Sequence, residues 1–210
     1  MIKTFSCGLL DTNTYVVWDE DTHIGMIIDC GVDPQMILKF TEENEIKIKY
    51  VVLTHGHFDH ADFIEEYEKI FVASKIVCHE NELCVLDDIE ANLSIWGKHP
   101  RAYKCNYTLV KEGDILSLCD ESRQKSGDEC MNFEVLHTPG HTPGCICLYC
   151  KSNKIMFTGD TLFKRSYGRT DFKYGNSATM YSSLKRLYSM DKDITFYPGH
   201  YESSTIGDEI

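Results

Sequence analysis

The sequence predicts an α+β fold in which two β-sheets pack face to face and helices cover their outer surfaces. Short apolar segments that alternate with a period of two recur along the whole chain and outnumber the segments with helical periodicity. Turns rich in glycine, proline and polar residues separate these segments. Because a sheet must bury at least one face against another layer, many strands with few helices indicate packed sheets flanked by helices.

The predicted strands are segments enriched in β-branched and aromatic residues. They comprise residues 14–18, 24–29, 50–53, 115–118, 132–136, 145–149, 155–157 and 194–197. Residues 120–129 are polar and charged, so we expect an exposed loop there and not a linker between domains.

Three segments have helical periodicity. Asp33 and Pro34 are typical of the N-cap and first turn of a helix, and we expect Met36, Ile37 and Phe40 to share its buried face. A second helix is predicted from Ala61, with inward positions Phe63, Ile64, Tyr67 and Ile70 and outward positions Glu65, Glu66 and Glu68. A third is predicted from about residue 177 to 190, with inward positions Met180, Leu184 and Leu187.

Length and composition indicate one globular domain. The chain has 210 residues, of which 42% are hydrophobic and 26% charged, and we expect residues 1–210 to form a single domain. No stretch approaches the ~20 apolar residues of a membrane helix, and residues 1–5 lack the apolar core of a secretory signal. We therefore expect a cytoplasmic protein that does not bind membranes.

The formal net charge is −12 at pH 7. A negative field repels nucleic acid, and no long basic run offsets it, so we expect no nucleic-acid partner. A small anionic substrate is compatible with this charge if basic side chains and metal ions reverse the field locally. The sequence leaves the oligomeric state open.

The chain contains ten cysteines. With no signal peptide, and with a length that does not require disulfides for folding, the arguments for a secreted disulfide scaffold do not apply. Only the spacing Cys145-x-Cys147-x-x-Cys150 could indicate a metal or cluster site. On a strand, Cys145 and Cys147 lie on one face and Cys150 on the other, so we predict reduced, buried thiols there.

A dense group of potential metal ligands follows the strand predicted at residues 50–53. The motif Thr-His-Gly-His-Phe-Asp-His contains His55, His57, Asp59 and His60. His55 and His57 point the same way on an extended or looping backbone and can bind one ion. Asp59 and His60, where the chain turns into the next helix, can face a second ion beside it.

Three more potential ligands occupy similar positions. His141 lies in the stiff turn Thr-Pro-Gly-His-Thr-Pro-Gly, while Asp160 and His200 each follow a glycine at the end of a predicted strand. Any one of these turns alone is more typical of a structural turn than of a metal site. Because four strands all end in a residue that binds hard or borderline metals, the sequence predicts a metal centre.

These motifs resemble the metallo-β-lactamase fold superfamily. Together with Gly-Asp-Thr-Leu-Phe and Gly-Arg-Thr-Asp, they are similar to the glyoxalase II branch, particularly to its short single-domain hydroxyacylglutathione hydrolases. The resemblance extends from residue 13 to residue 200. It implies an αββα sandwich of two mixed β-sheets with the metal site at one edge.

The resemblance also implies a ligand assignment. One metal would be bound by His55, His57 and His141, the other by Asp59, His60 and His200, and Asp160 would bridge them. Two divalent cations ~3.5–4 Å apart share a water and lower its pKa, and the resulting hydroxide would attack the carbonyl of an acyl thioester such as S-lactoylglutathione. Asp59 would in addition have a catalytic role by holding the nucleophile's proton. Zinc is the expected metal, with iron and manganese as alternatives.

The sequence departs from the family pattern in two ways. Full-length glyoxalase II enzymes have a C-terminal helical domain that contacts glutathione, and we expect no such separate domain here. Lys164, Arg165 and Arg169 are therefore the candidate contacts for an anionic substrate, although each could equally be a solvated surface charge. The second departure, Ala61-Asp62 after the histidine cluster, is expected to alter a helix start and not the ligands.

Two other activities remain open alternatives. Persulfide dioxygenases resemble the same motifs and use a single iron, for which the ligands here would be His55, His141 and Asp160. A lactone hydrolase of the same fold is a further alternative. Nucleases usually add a basic surface and secreted β-lactamases a signal peptide, and the sequence shows neither. A purely structural role for the metals would require closed coordination, which seven ligands for two ions do not favour.

Overall fold

The computed structural model describes residues 1–8, 10–120 and 130–210. Within these ranges, two six-stranded sheets pack against each other with helices on their outer faces, which confirms the predicted fold class. The helices are α1 Pro34–Glu43, α2 Phe58–Ala61, α3 Ile64–Ile70, α4 Leu83–Leu86 and α5 Ser177–Tyr188. Most of the loop predicted at residues 120–129 lies outside the described residues.

The first sheet contains the first six strands in chain order. They are β1 Ile2–Cys7, β2 Thr12–Trp18, β3 Ile24–Ile28, β4 Lys47–Val52, β5 Lys75–His79 and β6 Tyr107–Val110. The pairs β1–β2 and β2–β3 are antiparallel, whereas β3, β4, β5 and β6 run parallel to one another. The carboxyl ends of β3 and β4 therefore meet at the same edge of the sheet.

The second sheet contains β7 Ile115–Leu118, β8 Met131–His137, β9 Ile146–Cys150, β10 Ile155–Gly159, β13 Thr195–Pro198 and β14 Ser204–Thr205. These strands lie side by side in the order β14-β13-β10-β9-β8-β7. Only β10 and β13 are parallel, and the others pair antiparallel. A short separate hairpin contains β11 Leu162–Phe163 and β12 Ser166–Tyr167.

Three apolar layers cover the faces of the two sheets: one between the sheets and one on each outer face. Side chains such as Val17 and Ile28 of the first sheet meet Phe133, Leu148 and Phe157 of the second in the central core. The outer face of the first sheet packs on α1 and α3, and the outer face of the second packs on α5. Because both faces of a strand such as β2 are covered, all of its residues are buried and the period of two disappears from its burial.

The predicted helices form, with three differences. Asp33 caps α1, since its Oδ1 accepts the backbone N–H of Gln35 at 2.9 Å, but Met36 is 52% exposed and not on the buried face. The helix predicted from Ala61 is interrupted, because α2 ends at Ala61 and α3 begins at Ile64. Glu65 and Glu68, predicted to face outward, are half-buried and accept backbone N–H groups of residues 104 and 106.

The described cysteines include both free thiols and one disulfide. Cys145, Cys147 and Cys150 are free and buried, and Cys147 and Cys150 lie in different apolar layers, as predicted for opposite faces of a strand. Cys119 and Cys130 form a disulfide, which the sequence argument did not predict. Across the described ranges, none of the helices is both long and apolar enough to cross a bilayer.

Candidate metal centre

The predicted ligands meet at one edge of the sandwich, where strands of both sheets end. His55, His57, Asp59 and His60 follow β4, His141 follows β8, Asp160 follows β10, and His200 follows β13. Backbone hydrogen bonds hold these ends together: Ile146 N–H donates to the carbonyl of Thr54 at 3.0 Å, and Gly199 N–H to that of Gly159 at 2.8 Å. The structure thus assembles all seven predicted residues, whose role as ligands stays a prediction.

Three buried imidazoles form the first group. Ligand atoms of His55, His57 and His141 all lie within 4.8 Å of one another. Nε2 of His55 is 3.1 Å from Nδ1 of His57, and the rings of His57 and His141 are 4.5 Å apart at their centroids. Such an all-imidazole set is typical of a zinc or iron ligand set.

Asp59, His60 and His200 form the second group, and their ligand atoms also lie within 4.8 Å of one another. Oδ2 of Asp59 is 3.4 Å from Nε2 of His60 and 3.2 Å from Nε2 of His200. Asp160 lies between the two groups. Its Oδ1 is 3.4 Å from Nε2 of His60, and its Oδ2 is 3.4 Å from Nε2 of His141. This is the position in which one carboxylate can contact two cations.

The two groups differ in charge. Burial lowers the pKa of His55, His57 and His141, so these imidazoles are neutral at pH 7. Burial also lowers the pKa of His60 and His200, but the neighbouring carboxylates of Asp59 and Asp160 raise it by more. The pKa of His60 is raised well above its usual range, and that of His200 is raised to about 9.

For the two carboxylates of the centre, neighbouring groups lower the pKa by more than burial raises it. Burial would raise the pKa of Asp59, yet the charge of His60 and hydrogen bonds from His200 and Thr12 lower it to about 2. The pKa of Asp160 is likewise depressed, despite burial, by His60 and His200. Both side chains are therefore ionised at neutral pH and able to bind a cation.

Partners outside the centre orient three of the imidazoles. Nδ1 of His141 donates to the carbonyl of Arg169 at 2.7 Å, and Nδ1 of His200 donates to that of Leu10 at 2.9 Å. Nδ1 of His60 contacts Oδ2 of Asp29 at 2.8 Å. Because these acceptors hold a proton on Nδ1, Nε2 is the nitrogen that each ring directs into the centre. It carries a free lone pair in neutral His141, whereas in His60 and His200 it must first lose a proton.

Sequence reasoning missed Asp29. Its side chain is buried and also accepts the backbone N–H of Thr54 at 2.8 Å and the Thr54 hydroxyl. Asp29 therefore fixes both the start of the histidine motif and the ring of His60. The available signal was its position: like the predicted ligands, it directly follows a strand, here β3.

The residues present fit divalent cations. Among the described residues, Nε2 of His141 and Oδ1 of Asp160 are buried and have no hydrogen-bond partner, and both atoms lie in the centre. Buried lone pairs without a donor are costly unless something binds them. Imidazoles with two carboxylates are a donor set suited to zinc, iron or manganese.

The three residues predicted to bind an anionic substrate all hydrogen-bond to carboxylates of the protein. Nζ of Lys164 lies 2.6 Å from Glu202, and Arg169 makes two hydrogen bonds of 2.7 Å to Asp171. The exposed Arg165 donates its backbone N–H to Glu209. An anionic substrate would compete with these carboxylates for Lys164 and Arg169.

An aromatic pair at the first group was not predicted from the sequence. The ring of Phe172 lies 5.7 Å from that of His57 and 5.6 Å from that of Trp96, and the guanidinium of Arg169 stacks 4.2 Å above it. Trp96 is 67% exposed. Trp96 ends the 3-10 turn Ser94–Trp96 and Phe172 lies in a loop far away in sequence, so no local motif indicated the pair.

Comparison with known proteins agrees with this geometry. The metallo-beta-lactamase superfamily model matches residues 7–200. Hydroxyacylglutathione hydrolase GloC of Haemophilus influenzae is 32% identical over 199 residues, which are 94% of this chain and 89% of that protein.

Two solved structures are similar along nearly their whole length. BLEG-1 B3 metallo-β-lactamase has a TM-score of 0.85 and 27% identity, with 100% of this chain and 96% of that chain covered. TTHA1623, solved in a di-iron-bound form, has a TM-score of 0.83 and 26% identity, with coverages of 99% and 96%. Since the family model spans the fold and all seven residues of the centre, the chain belongs to the metallo-β-lactamase superfamily.

Proposed function

We propose that this protein is a hydrolase that uses two divalent cations to cleave an acyl thioester such as S-lactoylglutathione. The observation that supports this most directly is the pair of three-residue groups with the Asp160 carboxylate between them. His55, His57 and His141 would hold one cation, and Asp59, His60 and His200 the other. When bound, such cations polarise a carbonyl and lower the pKa of water.

The chain's own residues prepare the site for this chemistry. Asp59 is ionised and its Oδ2 accepts the hydroxyl of Thr12 at 2.7 Å, which fixes the carboxylate in place. From there Asp59 would accept a hydrogen bond from the attacking water and hold its proton. Neutral His55 and His57 would contribute lone pairs without first losing a proton.

No side-chain nucleophile is part of this proposal. Among the described residues, Cys145 is the thiol nearest in sequence to His141. Burial raises the pKa of Cys145 well above its usual range, so its thiol is protonated and a poor nucleophile at pH 7. Water activated at the centre is the nucleophile that fits these residues.

The sequence similarity to a hydroxyacylglutathione hydrolase supports the choice of a thioester substrate. The two chains are 32% identical, and the match covers 89% of that hydrolase. The similar structure solved with two iron ions supports iron as an alternative to zinc. We propose zinc as the metal and a small-molecule thioester as the substrate, with no nucleic-acid or membrane partner.

Hydrolysis of S-lactoylglutathione by zinc-loaded protein tests the proposal. We expect turnover in the wild type and its loss in His57→Ala, because His57 lies in the first group. His99→Ala is the control, since His99 is exposed and outside both groups. Absence of turnover in folded wild type that holds two zinc ions per chain would reject the thioesterase proposal.

A mononuclear-iron persulfide dioxygenase is the second candidate, because His55, His141 and Asp160 all lie in the centre. It predicts full activity with one iron per chain and oxygen uptake with glutathione persulfide. Such enzymes keep much of the same residue set, so the presence of Asp59, His60 and His200 does not by itself separate the two activities. The number of metal ions per chain in the active protein does. If both assays are negative, lactones are the next substrate to test.

A further inference from the structure

Glu82 is a completely buried acidic residue that belongs to neither ligand group. It ends the 3-10 turn Glu80–Glu82, which follows β5 of the first sheet. Neither the motifs nor the proposed reaction assigns it a role. Its surroundings show which parts of the chain it connects.

The Glu82 carboxylate accepts three hydrogen bonds from two loops. Oε1 accepts the backbone N–H of Gly56 at 2.7 Å. Oε2 accepts the backbone N–H of Gly144 at 2.8 Å and the hydroxyl of Thr142 at 2.8 Å. Gly56 lies between His55 and His57, and Thr142 directly follows His141. One side chain thus connects the two loops that contain the entire first group.

A side chain at Gly144 would block this close approach, and one at Gly56 would crowd it. A Cβ atom on Gly144 would lie 2.5 Å from Oε2 of Glu82, which is closer than carbon and oxygen can approach. A Cβ atom on Gly56 would lie 3.2 Å from Oε1 and 3.0 Å from the side chain of Leu86. Both loops therefore have a residue without a side chain where the carboxylate meets the backbone.

The buried carboxylate is costly to the fold. Burial raises the pKa of Glu82 to about 7, although the hydrogen bonds from Thr142, Gly56 and Gly144 each lower it. Removing its acceptors would leave buried N–H groups of both loops unpaired, which also costs free energy. Both of these N–H groups, of Gly56 and Gly144, lie where the two loops meet.

We propose that Glu82 is a positioning residue that sets the distance between the His55–His57 loop and the His141 loop, and thereby the cation affinity of the first group. This inference rests on the proposed function in one respect, that the first group binds a cation. The second group has separate supports, since Asp29 fixes His60, Thr12 fixes Asp59 and the Leu10 carbonyl fixes His200. Loss of the Glu82 contacts should therefore weaken one of the two sites selectively.

Zinc binding by Glu82→Gln, measured by competition with a chromophoric chelator, tests the proposal without using activity. The amide is isosteric but replaces one acceptor by a donor, which must face an N–H or O–H donor of a loop. We expect one zinc equivalent to bind about tenfold to a hundredfold more weakly and the other to change less than twofold. Glu80→Gln is the matched control, because Glu80 is exposed in the same turn.

Thr142→Val is a milder second variant in case Glu82→Gln does not fold. It keeps the side-chain shape and removes one of the three hydrogen bonds, so the same zinc equivalent should weaken to a smaller degree. In thioester hydrolysis we expect kcat to fall in Glu82→Gln with KM changed little. Glu82→Asp keeps the carboxylate, but its side chain is too short to reach both loops. We therefore expect its zinc affinity to stay weakened, as in Glu82→Gln.

Several results would overturn the proposal. They are wild-type affinity for both zinc equivalents in folded Glu82→Gln, equal weakening of both equivalents, and full recovery in Glu82→Asp. Wild-type protein that binds no zinc would overturn this inference and the proposed function together. Wild type that binds a single zinc ion, lost in His57→Ala, would reject only the two-cation function, and Glu82→Gln should still weaken that ion. Wild type that binds two zinc ions but cleaves no thioester would reject only the proposed substrate, and the zinc titrations would still decide the role of Glu82.

Discussion

The protonation states of individual histidines distinguish the two halves of the centre before any cation binds. His55, His57 and His141 have lowered pKa values because they are buried, so at pH 7 they carry free lone pairs. His200 has a pKa of about 9 because the effect of its carboxylate neighbours exceeds that of burial. A cation that binds His200 at pH 7 must therefore displace a proton, whereas one that binds the first group need not.

We expect this difference to appear as proton release. Between pH 6.5 and about 9, affinity at the second group should rise about tenfold per pH unit for each proton displaced, while affinity at the first group stays constant. Calorimetric zinc titrations in buffers of different ionisation enthalpy count the protons. In His200→Gln at least one released proton should be missing. Equal proton release from both sites in the wild type would contradict this assignment.

Asp29 provides a second prediction at the scale of single residues. Asp29→Asn keeps the shape but removes the charge that holds the Nδ1 proton of His60, so zinc affinity at the second group should fall about tenfold to a hundredfold. Chelator competition measures the loss. Asp33→Asn is the control, since asparagine caps a helix as well as aspartate does. Unchanged affinity in Asp29→Asn would show that His60 is oriented by other contacts.

The residues most visible in the sequence were those clustered in short motifs. His55, His57 and His60 could be predicted as a group because their proximity follows from the local chain. Asp29 and Glu82 could not, because each acts on a loop that lies 25 or more positions away and gives no local pattern. Tertiary contacts of this kind appear only when the sheets are assembled.

At the scale of elements, segments made mostly of apolar residues were easier to predict as strands than segments that mix apolar and exposed polar residues. β7 was predicted with its observed bounds, Ile115–Leu118. β1 was missed because it lies at the edge of its sheet and mixes exposed and half-buried residues. β5 and β6 were missed although they are no shorter than the predicted strands β3 and β7. Both pair in parallel with strands distant in sequence, which no local pattern indicates. Met36 was misassigned because only a narrow stripe of α1 contacts the first sheet.

Helix α5 supports the His141 loop from outside the second sheet. Asn176 is its N-cap, and the side chain accepts the N–H groups of Ala178 at 2.9 Å and Thr179 at 3.1 Å. The Asn176 backbone N–H donates to the carbonyl of Gly140 at 2.8 Å. The start of this helix is therefore joined to the residue that precedes His141.

Removal of this cap should cost about 1 kcal/mol of unfolding free energy. We expect Asn176→Ala to show this loss in urea denaturation of the metal-free protein. Asn176→Asp should keep most of the stability, because aspartate accepts the same two N–H groups. A loss in Asn176→Asp as large as that in Asn176→Ala would indicate that the amide group has another role.

At the scale of the whole molecule, charge opposes the proposed substrate. The net charge is −12, and three of the basic residues that follow Asp160 are paired with carboxylates: Lys164 with Glu202, Arg169 with Asp171, and Lys173 with Asp88 and Glu90. Exposed pairs of this kind leave little positive field in solution. A glutathione thioester, with two carboxylates and one ammonium group, therefore approaches a surface of its own sign.

Salt should consequently accelerate the reaction of this substrate. Increasing ionic strength from about 0.02 to 0.2 M shortens the Debye length from roughly 20 Å to below 10 Å and screens the repulsion. We expect kcat/KM for S-lactoylglutathione to rise about twofold or more, mostly through KM, while a thioester of a neutral thiol changes little. Steady-state kinetics at several salt concentrations measure both substrates. A fall in kcat/KM for the glutathione thioester would mean that Lys164 and Arg169 exchange their carboxylate partners for the substrate and attract it, in spite of the net charge.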